Sequence, residues 1–419
     1  MLATIRQRNF ALLWFAGLIS LAGDWMLLIA LPIYIYQLTG SAVAVSIMFI
    51  AKRAPSVLFG SLAGVFVDRW DRRRTMLVAN LLLALALLPL LAVRSAGQVW
   101  IVYLVALLES TFIQFFSPAE NALLPQLVGE EYIVPANALN SLNNNIARLI
   151  GPALGGLAAV TLGLGGVALL DAASFLIAAL LVWLIRGDYR ATPAADAPAT
   201  PLGAWRTLGR EWLAGLRVIA GSRPVAMLFA LVAITSLGEG VFGVMFVLFV
   251  NTVLGGGAQE IGSLMSAQAV GGLLGALLVG RLGGGRPALL IGIAGVLFGL
   301  IDLAIFNYPS FFPGFLPIVL LFVLVGIPGV ALFTGMNALL QLAVADEYRG
   351  RVFGTYGTTG ALLAIVGTVL AGALGDRVPV VTVLNIQGLA YVLAGLAVLV
   401  LLGGRAIAGH EAAPAQAAS

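Results

Sequence analysis

The chain has 419 residues, of which 61% are hydrophobic and only 10% are charged, and its mean hydropathy is +1.06. Soluble domains carry roughly 25% charged residues, so this composition excludes a water-soluble globule and indicates a membrane protein. There is no cysteine and only one histidine, His410. Disulfides and thiolate chemistry are therefore excluded, and we expect no metal and no other cofactor.

Apolar stretches of about 20 residues, the length that crosses a bilayer, recur along the chain and predict twelve membrane-spanning helices. Lipid offers the backbone no hydrogen bonds, so spans this long should be helices rather than barrel strands. The first is too long for the apolar region of a signal peptide, and we expect it to remain as helix 1. In chain order, the predicted helices 1 to 12 lie near residues 10–38, 42–67, 75–93, 98–119, 137–160, 165–185, 224–252, 259–280, 287–307, 315–344, 353–374 and 379–402.

The second half of the chain repeats the first. Residues 121–132 read NALLPQLVGEEY, and residues 337–348, which are 216 positions further on, read NALLQLAVADEY. Two six-helix copies are a common plan of membrane transporters, which place their binding site between the copies. Other residues align at an offset of 215 or 216: Gly23 with Gly238, Asp24 with Glu239, Gly60 with Gly275, and Gly151 with Gly367.

This repeat predicts two domains, an N-terminal six-helix bundle (1–186) and a C-terminal six-helix bundle (224–402). A cytoplasmic linker (187–223) joins them, and a disordered cytoplasmic tail (403–419) follows. Within the linker, Trp205, Trp212 and other apolar residues share one helical face. This pattern favours a helix lying on the inner leaflet of the membrane over an irregular basic loop.

The arginines set the predicted orientation. With the N-terminus in the cytoplasm, nearly all loop arginines fall on the cytoplasmic side, and only Arg94 and Arg377 lie in outer loops, as the positive-inside rule requires. Both termini are then cytoplasmic, in a multi-pass protein of the cell membrane. The pI near 9.6 thus reports topology and gives no reason to expect nucleic-acid binding.

Two motifs resemble those of a known family. The loop after helix 2 contains Gly64, Asp68, Arg69, Arg72 and Arg73 in the run GSLAGVFVDRWDRRR (60–74). This run resembles the loop signature of the major facilitator superfamily. Helix 5 contains GPALGG (151–156), which resembles the end of that superfamily's antiporter motif; its residues are Gly151, Pro152, Gly155 and Gly156.

Shorter stretches are similar to the multidrug, macrolide and siderophore exporter branch of the superfamily. They are GDW (23–25), LTGSA (38–42), NALLP (121–125) and RGRV (349–352). The resemblance implies an all-α fold in which two six-helix bundles rock about a central cavity. It places helices 1, 4, 7 and 10 around the cavity, with helices 2, 5, 8 and 11 beside them.

The basic loop after helix 2 is expected to act as a cytoplasmic gate. We expect Asp68 to dock near residues 352–354 at the N-terminus of helix 11, because the helix dipole favours an anion there. Arg72 is expected to pair with Glu120 at the end of helix 4.

Ionisable residues at mid-span are functional candidates, because each costs about 3 kcal/mol or more to insert. Asp24 in helix 1 and Arg53 in helix 2 both lie roughly 18–20 Å below the outer surface, at about 1.5 Å per residue, so we expect them to pair. Glu109 in helix 4 and Arg148 in helix 5 form a second expected pair. For either pair, a structural clamp within the bundle is the alternative.

Three further polar residues lie in the N-terminal spans. Lys52 either snorkels to the surface or joins the first pair, and Gln114 adds a polar group one turn along helix 4. Asp171, near the outer end of helix 6, is interpreted as structural.

The C-terminal spans hold Glu239 and Asp302 but no Lys or Arg, so Glu239 is predicted to lack a cationic partner. Burial without a partner disfavours a charged carboxylate. Glu239 is therefore the best candidate to carry a proton or to meet a cationic substrate; a hydrogen-bonded structural carboxylate is the alternative. Gln268 holds the repeat position of Arg53 and keeps that place polar without a charge.

We interpret the chain as a secondary exporter of amphiphilic small molecules (drugs, macrolides or siderophores), coupled to proton entry and acting as a monomer in the bilayer. Uptake or lysolipid movement on the same scaffold is an alternative. A non-transporting receptor or assembly partner is an alternative of another class. The intramembrane charges argue against it, because such a protein could avoid the cost of inserting them. No P-loop, hydrolase or zinc-protease motif occurs, which disfavours an ATP-driven pump and an enzyme.

Overall fold

The computed structural model describes residues 2–67, 69–187, 189, 212–213, 223–282, 287–312, 314–344 and 346–402. Eleven helical stretches in these ranges are long and apolar enough to cross a membrane. We label the helices α1 (Arg8–Thr39), α2 (Ala42–Val67), α3 (Arg72–Leu87), α4 (Val99–Val128), α5 and α6 (the two arms of Ile133–Trp183), α7 (Arg223–Thr252), α8 (Ala258–Leu282), α9 (Pro287–Asn307), α10 (Leu316–Ala343), α11 (Asp346–Gly375) and α12 (Val380–Leu402).

The longest helical stretch holds two membrane spans. Within Ile133–Trp183 the backbone leaves the helical conformation at Gly163, which has φ 67° and ψ −178°. Glycine adopts such a conformation without the steric penalty of a Cβ atom. The chain therefore turns back here, so that α5 (133–162) and α6 (164–183) are separate spans and the predicted twelve are confirmed.

Helix ends follow the repeat as well. Gly40 ends α1 in the left-handed conformation with φ 63°, and its N–H donates to the carbonyl of Tyr36. Gly255, 215 positions later, follows α7 with the same φ of 63°. At the start of α3, the Asp71 side chain accepts a hydrogen bond from Arg74 N at 2.8 Å, the usual role of an aspartate at a helix N-cap.

The two halves pack their helices in the same pattern. In the N-terminal bundle α1 packs on α5, α2 on α4, and α3 on α4 and α6; in the C-terminal bundle α7 packs on α11, α8 on α10, and α9 on α10 and α12. The bundles meet along two seams, α2 against α11 and α5 against α8. These seams are related by the same repeat, which gives the molecule its pseudo-twofold symmetry.

The motif in helix 5 forms both kinds of contact. Gly151 and Gly155 lie against Trp25 and Met26 of α1. On the adjacent face, Gly156 lies against the backbone of α8 at Ala258 and Gln259, and Pro152 contacts Gly262. Any side chain at these glycines would push the helices apart, so the small residues of this motif allow close helix packing.

The bundles are closed at one end. We call the end with Arg8, Arg73, Arg186 and Arg281 the Arg-rich face, and the end with Gly40, Arg94, Gly163 and Asp376 the opposite face. Ala42 contacts Gly375 and Ser46 contacts Gly372, both toward the opposite face, as does the seam at Gly156. Toward the Arg-rich face, a Cβ at Gly354 or Gly357 of α11 would meet no atom of the described residues within 4 Å outside its own stretch of helix.

Two predicted segments lie largely outside the described residues. Of the proposed interfacial helix only Trp212 and Leu213 are described; both are helical, and Trp212 Nε1 donates to Thr359 Oγ1 of α11 at 3.3 Å. The tail, residues 403–419, and the gate residue Asp68 lie outside the described residues.

Candidate functional site

An ion pair joins the two bundles in the middle of the membrane. Arg53 Nη2 of α2 lies 2.8 Å from Glu239 Oε1 of α7, and these side chains are 32% and 65% exposed. The predictions that Arg53 pairs with Asp24 and that Glu239 has no cationic partner are therefore wrong. The side chain of Arg53 points toward α7 of the other bundle rather than into its own bundle.

A second ion pair is buried inside the N-terminal bundle. Lys52 Nζ of α2 lies 2.9 Å from Glu109 Oε1 of α4, and the Glu109 side chain is fully buried. The expected pairing of Glu109 with Arg148 is wrong, because α4 packs along α2 and makes few contacts with α5. Arg148 is exposed, and no residue that the structure describes forms an ion pair with it.

Two more carboxylates lie beside this buried pair. Asp171 of α6 packs against Gly23 of α1 and accepts a hydrogen bond from Ser174 Oγ at 3.1 Å. Asp24 follows Gly23 in α1 and interacts electrostatically with both Glu109 and Lys52. We call Asp24, Lys52, Glu109 and Asp171 the carboxylate–lysine cluster. It sets three carboxylates around one lysine.

Hydrogen bonding within the carboxylate–lysine cluster is incomplete. One oxygen of each carboxylate, Asp24 Oδ1, Glu109 Oε2 and Asp171 Oδ2, is buried without a hydrogen-bond partner. Buried polar atoms are nearly always paired in native proteins, so each of these unpaired oxygens calls for an explanation. The sequence placed Asp171 near the outer end of helix 6 and did not predict that it lies beside Asp24. Gly23 makes this position possible, because it has no side chain in the space that Asp171 occupies.

The C-terminal bundle has the same architecture with fewer charges, because only Glu239, the repeat partner of Asp24, is ionisable at the positions equivalent to the cluster. Gln387 and Tyr391 pack against Gly238 as Asp171 packs against Gly23, and 387 is 216 positions after 171. At the repeat positions of Lys52 and Glu109 stand the buried apolar residues Ala267 and Val325. The ionisable cluster is thus confined to one of two otherwise matching bundles.

The predicted polar glutamines lie near these charges. Gln114 of α4 donates through Nε2 to the carbonyl of Ser110 at 3.3 Å, and its Oε1 faces Gly60 of α2. Gln268, the repeat partner of Arg53, is half-buried in α8.

A polar cavity of about 370 Å³ opens within the N-terminal bundle, below the carboxylate–lysine cluster. Asp24 and Ser20 of α1, Glu120 and Ser117 of α4 and Phe175 of α6 line it. Its remaining polar lining consists of Ser141 and six asparagines, namely Asn80, Asn121, Asn137, Asn140, Asn143 and Asn144. The asparagine lining was not predicted, although the run NSLNNN (140–145) in an apolar span was a readable signal.

The basic loop binds to the ends of helices. Arg73 donates to the carbonyls of Val182 at 3.2 Å and Trp183 at 2.5 Å, at the end of α6, where the helix dipole favours a cation. Arg72 donates to the carbonyl of Ala122 at 3.0 Å. The predicted pairing of Arg72 with Glu120 is therefore wrong, since Arg72 binds the backbone of α4 while Glu120 lines the cavity.

At the opposite face a further interbundle contact was not foreseen. Asp376, after the end of α11, accepts hydrogen bonds from Ala42 N at 2.9 Å and Ser41 Oγ at 3.3 Å. It therefore caps the N-terminus of α2 from the other bundle. A carboxylate in a short loop gave no sequence signal for this contact.

Twelve membrane helices in two repeated bundles, with one ion pair between the bundles and one buried inside the N-terminal bundle, define a transporter of the major facilitator type. A family model described as transmembrane secretion effector matches residues 1–413, and the chain belongs to this family of the major facilitator superfamily. It is thus a multi-pass membrane transporter and not an enzyme.

Curated relatives cover nearly the whole chain. The chain is 28% identical to macrolide efflux protein A of Streptococcus pyogenes, over 89% of this chain and 90% of the relative. It is 26% identical to the enterobactin exporter EntS of Citrobacter koseri, over 94% and 92%. Among solved structures, a bacterial homologue of the iron transporter ferroportin in an inward-facing state superposes with a TM-score of 0.72 at 16% identity, covering 95% of this chain and 99% of that one, which shows the shared fold.

Proposed function

We propose that this chain is a secondary exporter that couples proton entry to the outward movement of amphiphilic small molecules by alternating access. The names of its relatives, which export a macrolide and a siderophore, support export. The carboxylate–lysine cluster supports proton coupling and is the observation that carries the proposal. The partners of this function are a small-molecule substrate, protons and the lipid bilayer. One chain can bind all three, so we propose that it works as a monomer.

The charge balance of the carboxylate–lysine cluster favours proton binding. Lys52 and Glu109 balance each other at 2.9 Å, which leaves Asp24 and Asp171 without a cation. An uncompensated charge in the membrane costs about 3 kcal/mol or more, and a bound proton removes that cost. The cluster can therefore take up protons from one side and release them on the other as the bundles rock.

Confinement to one bundle supports the same role. A purely structural polar core would be expected in both copies of the repeat, yet the C-terminal bundle has Ala267, Val325 and Gln387 at three of the four equivalent positions and keeps a carboxylate only at Glu239. We therefore assign proton binding to the N-terminal bundle. Glu239, which the sequence favoured as proton carrier, is tied to Arg53 across the seam and is assigned to the conformational change instead.

We assign the Arg-rich face to the cytoplasm, because arginines accumulate on the inner side of membrane proteins. Both termini are then cytoplasmic. In this orientation the state described here is closed toward the outside, where Asp376 binds Ala42, and the cavity of the N-terminal bundle receives substrate from the inside. The basic loop with Gly64, Arg69 and Arg73 is then the inner gate.

The test uses purified protein in liposomes. Efflux of a panel of dyes, macrolides and siderophores is measured with and without an imposed pH gradient, for the wild type and for Asp24→Asn. We expect the gradient to accelerate wild-type efflux, and Asp24→Asn to lose this acceleration while it retains substrate counterflow, which needs no net proton movement. Glu130→Gln, at an exposed carboxylate outside the spans, is the control. Wild-type flux that ignores the pH gradient would overturn the proposal.

A further inference from the structure

The cavity of the N-terminal bundle has a lining of unusual chemistry for a membrane protein. Six asparagines converge on a volume of about 370 Å³, although an amide in lipid is costly unless it finds a hydrogen-bond partner. An amide side chain offers both donors and acceptors. The group that complements such a lining also both donates and accepts, as an alcohol does.

Buried amides in this cavity still have free hydrogen-bonding capacity. Asn80 is 1% exposed, and neither its Nδ2 nor its Oδ1 has a partner. Asn143 donates through Nδ2 to the carbonyl of Trp14 at 2.8 Å, but its Oδ1 is buried without a partner. A buried polar group left unpaired is costly, so both residues favour the binding of a polar group that enters the cavity.

One carboxylate faces the same space. Glu120 lines the cavity, and its Oε1 lies 3.8 Å from the position that a Cβ at Gly17 would occupy. No cationic side chain in the described part of the chain forms an ion pair with it. The nearby arginine, Arg72, binds the backbone of α4 instead. A cationic ligand would complete this site.

We infer that this cavity binds the polar end of the exported molecule, and that this end carries a cationic amine for Glu120 and hydroxyl groups for the asparagines. The inference rests on the proposed transport function and names the substrate class, an amine-bearing, hydroxyl-rich amphiphile. The volume suits a sugar-sized group and lies near the lower end of small-ligand sites, about 300–1,000 Å³. The apolar part of the ligand packs beside Leu21, Ile113 and Phe116, which also line the cavity.

The site is also connected to the carboxylate–lysine cluster. Asp24 belongs to that cluster and lines the cavity as well. An amine bound in the cavity therefore lies near the groups proposed to bind protons, and its positive charge disfavours a proton there. Substrate and protons would therefore compete at Asp24, and this is where we locate their exchange.

The test measures binding in lipid nanodiscs without any pH gradient, so that it does not depend on proton coupling. Three probes share an eight-carbon chain and differ in their polar end. N-octylglucamine has an amine and hydroxyls, and N-octanoyl-N-methylglucamine has the hydroxyls but a neutral amide. Octyltrimethylammonium has a charge but no hydroxyls. Isothermal titration, corrected with empty nanodiscs, gives their affinities. We expect wild-type protein to bind N-octylglucamine at least about tenfold more tightly than either other probe, since a hydrogen bond to a charged group contributes about 1.5–3 kcal/mol.

Variants separate the two kinds of contact. Glu120→Gln should bind N-octylglucamine no better than the neutral amide probe, whereas Glu130→Gln should keep the wild-type preference. Asn144→Leu should weaken both glucamine probes, whereas its neighbour Asn145, which does not line the cavity and donates to Ser141 O at 2.9 Å, should tolerate the same change. If Glu120→Gln fails to fold, Gly17→Ala serves instead, because its methyl group would lie 3.5 Å from Asn143 Nδ2, an ordinary contact that narrows the site.

Equal affinity of wild type for all three probes, or an unchanged preference in Glu120→Gln, would overturn the inference. So would identical behaviour of Asn144→Leu and Asn145→Leu. None of these binding outcomes depends on proton-driven efflux, which is measured separately in liposomes. A transporter that responds to the pH gradient but ignores the probe chemistry would retain the proposed function and lose only this site.

Discussion

Asp376 and Ala42 join the two bundles at the opposite face, where the Asp376 carboxylate accepts a hydrogen bond of 2.9 Å from the Ala42 amide. Ala42 is the first residue of α2, so its N–H is one of the amides that a helix leaves unpaired at its start. An anion at this place stabilises by about 0.3–1 kcal/mol, and up to ~2 kcal/mol when partly buried. The contact therefore favours the state that is closed at this face.

Asp376→Asn should shift the population toward the state that is open at the opposite face, by roughly two- to fivefold for a loss of about 0.5–1 kcal/mol. The chain has no cysteine, so spin labels at cysteines introduced at the exposed residues Ser95 and Val253 report the distance across this face. Arg377→Gln, one residue further, is the control and should leave the distances as in the wild type. An unchanged distance distribution in Asp376→Asn would contradict the role of this contact.

The Arg53–Glu239 pair should matter more for transport than for stability. Its side chains are 32% and 65% exposed, so the pair contributes at most about 1 kcal/mol to stability. It crosses from α2 to α7, and rocking of the bundles changes its geometry. We expect Arg53→Gln and Glu239→Gln each to alter the efflux rate, and the double substitution to deviate from the product of the single effects.

The measurement is a double-mutant cycle on efflux rates in liposomes, with melting temperatures recorded in parallel. The swapped variant, Arg53→Glu with Glu239→Arg, keeps the pair in reversed order and should recover flux relative to either single change. Strictly multiplicative effects in the cycle would show that the two residues act independently.

The buried Lys52–Glu109 pair should behave in the opposite way. Glu109 is fully buried, so Lys52→Ala leaves an uncompensated charge and should cost about 3–5 kcal/mol of folding stability. The double substitution Lys52→Ala with Glu109→Val copies Ala267 and Val325, which the C-terminal bundle has at the repeat positions. It should restore folding and leave efflux without its response to a pH gradient.

Thermal unfolding in nanodiscs and gradient-driven efflux in liposomes measure the two effects separately. Recovery of both folding and the pH response in the double variant would mean that the pair has no part in proton coupling. Failure to recover folding would mean that the N-terminal bundle cannot accept the apolar arrangement of its repeat.

Gly156→Ala should open the seam between α5 and α8. A Cβ at this position would lie 2.8 Å from Gln259 Cα, so α8 must move away, at a cost of about 1–3 kcal/mol for overpacking. The readout is alkylation of Ser46→Cys, a conservative probe in the other seam, where Ser46 is 3% exposed. Faster alkylation is expected. Gly357→Ala, where no atom lies within 4 Å, is the control, and equal rates in the two variants would contradict the prediction.

Spacing along the chain was enough to predict the helices and their repeat. Length and hydropathy define a span because the bilayer thickness is fixed, and Gly163 separates α5 from α6 where the sequence predicted a break between 160 and 165. The glycines of the helix 5 motif, Gly151 and Gly155, pack closely against α1. Such features depend on residue size and on position along one helix.

The pairing of charges was not predictable in the same way. Asp24 and Arg53 were matched by depth, and Glu109 and Arg148 likewise, but neither pair forms. Depth follows from a rise of about 1.5 Å per residue. Which neighbour a side chain meets depends also on the rotation of each helix about its axis and on which helices are adjacent, and neither quantity is contained in the spacing of a single span.

Lys52 and Arg53 show which features follow from the sequence and which require the tertiary structure. The sequence by itself determined that two cations occupy the middle of α2, that carboxylates occur at similar depths in α1, α4 and α7, and that the chain repeats as two bundles. Only the tertiary structure decided that Lys52 turns into the N-terminal bundle to Glu109 while Arg53 reaches across to Glu239. Successive residues of a helix point about 100° apart, since it has 3.6 residues per turn, so neighbours in sequence face different bundles once α2 is packed in place.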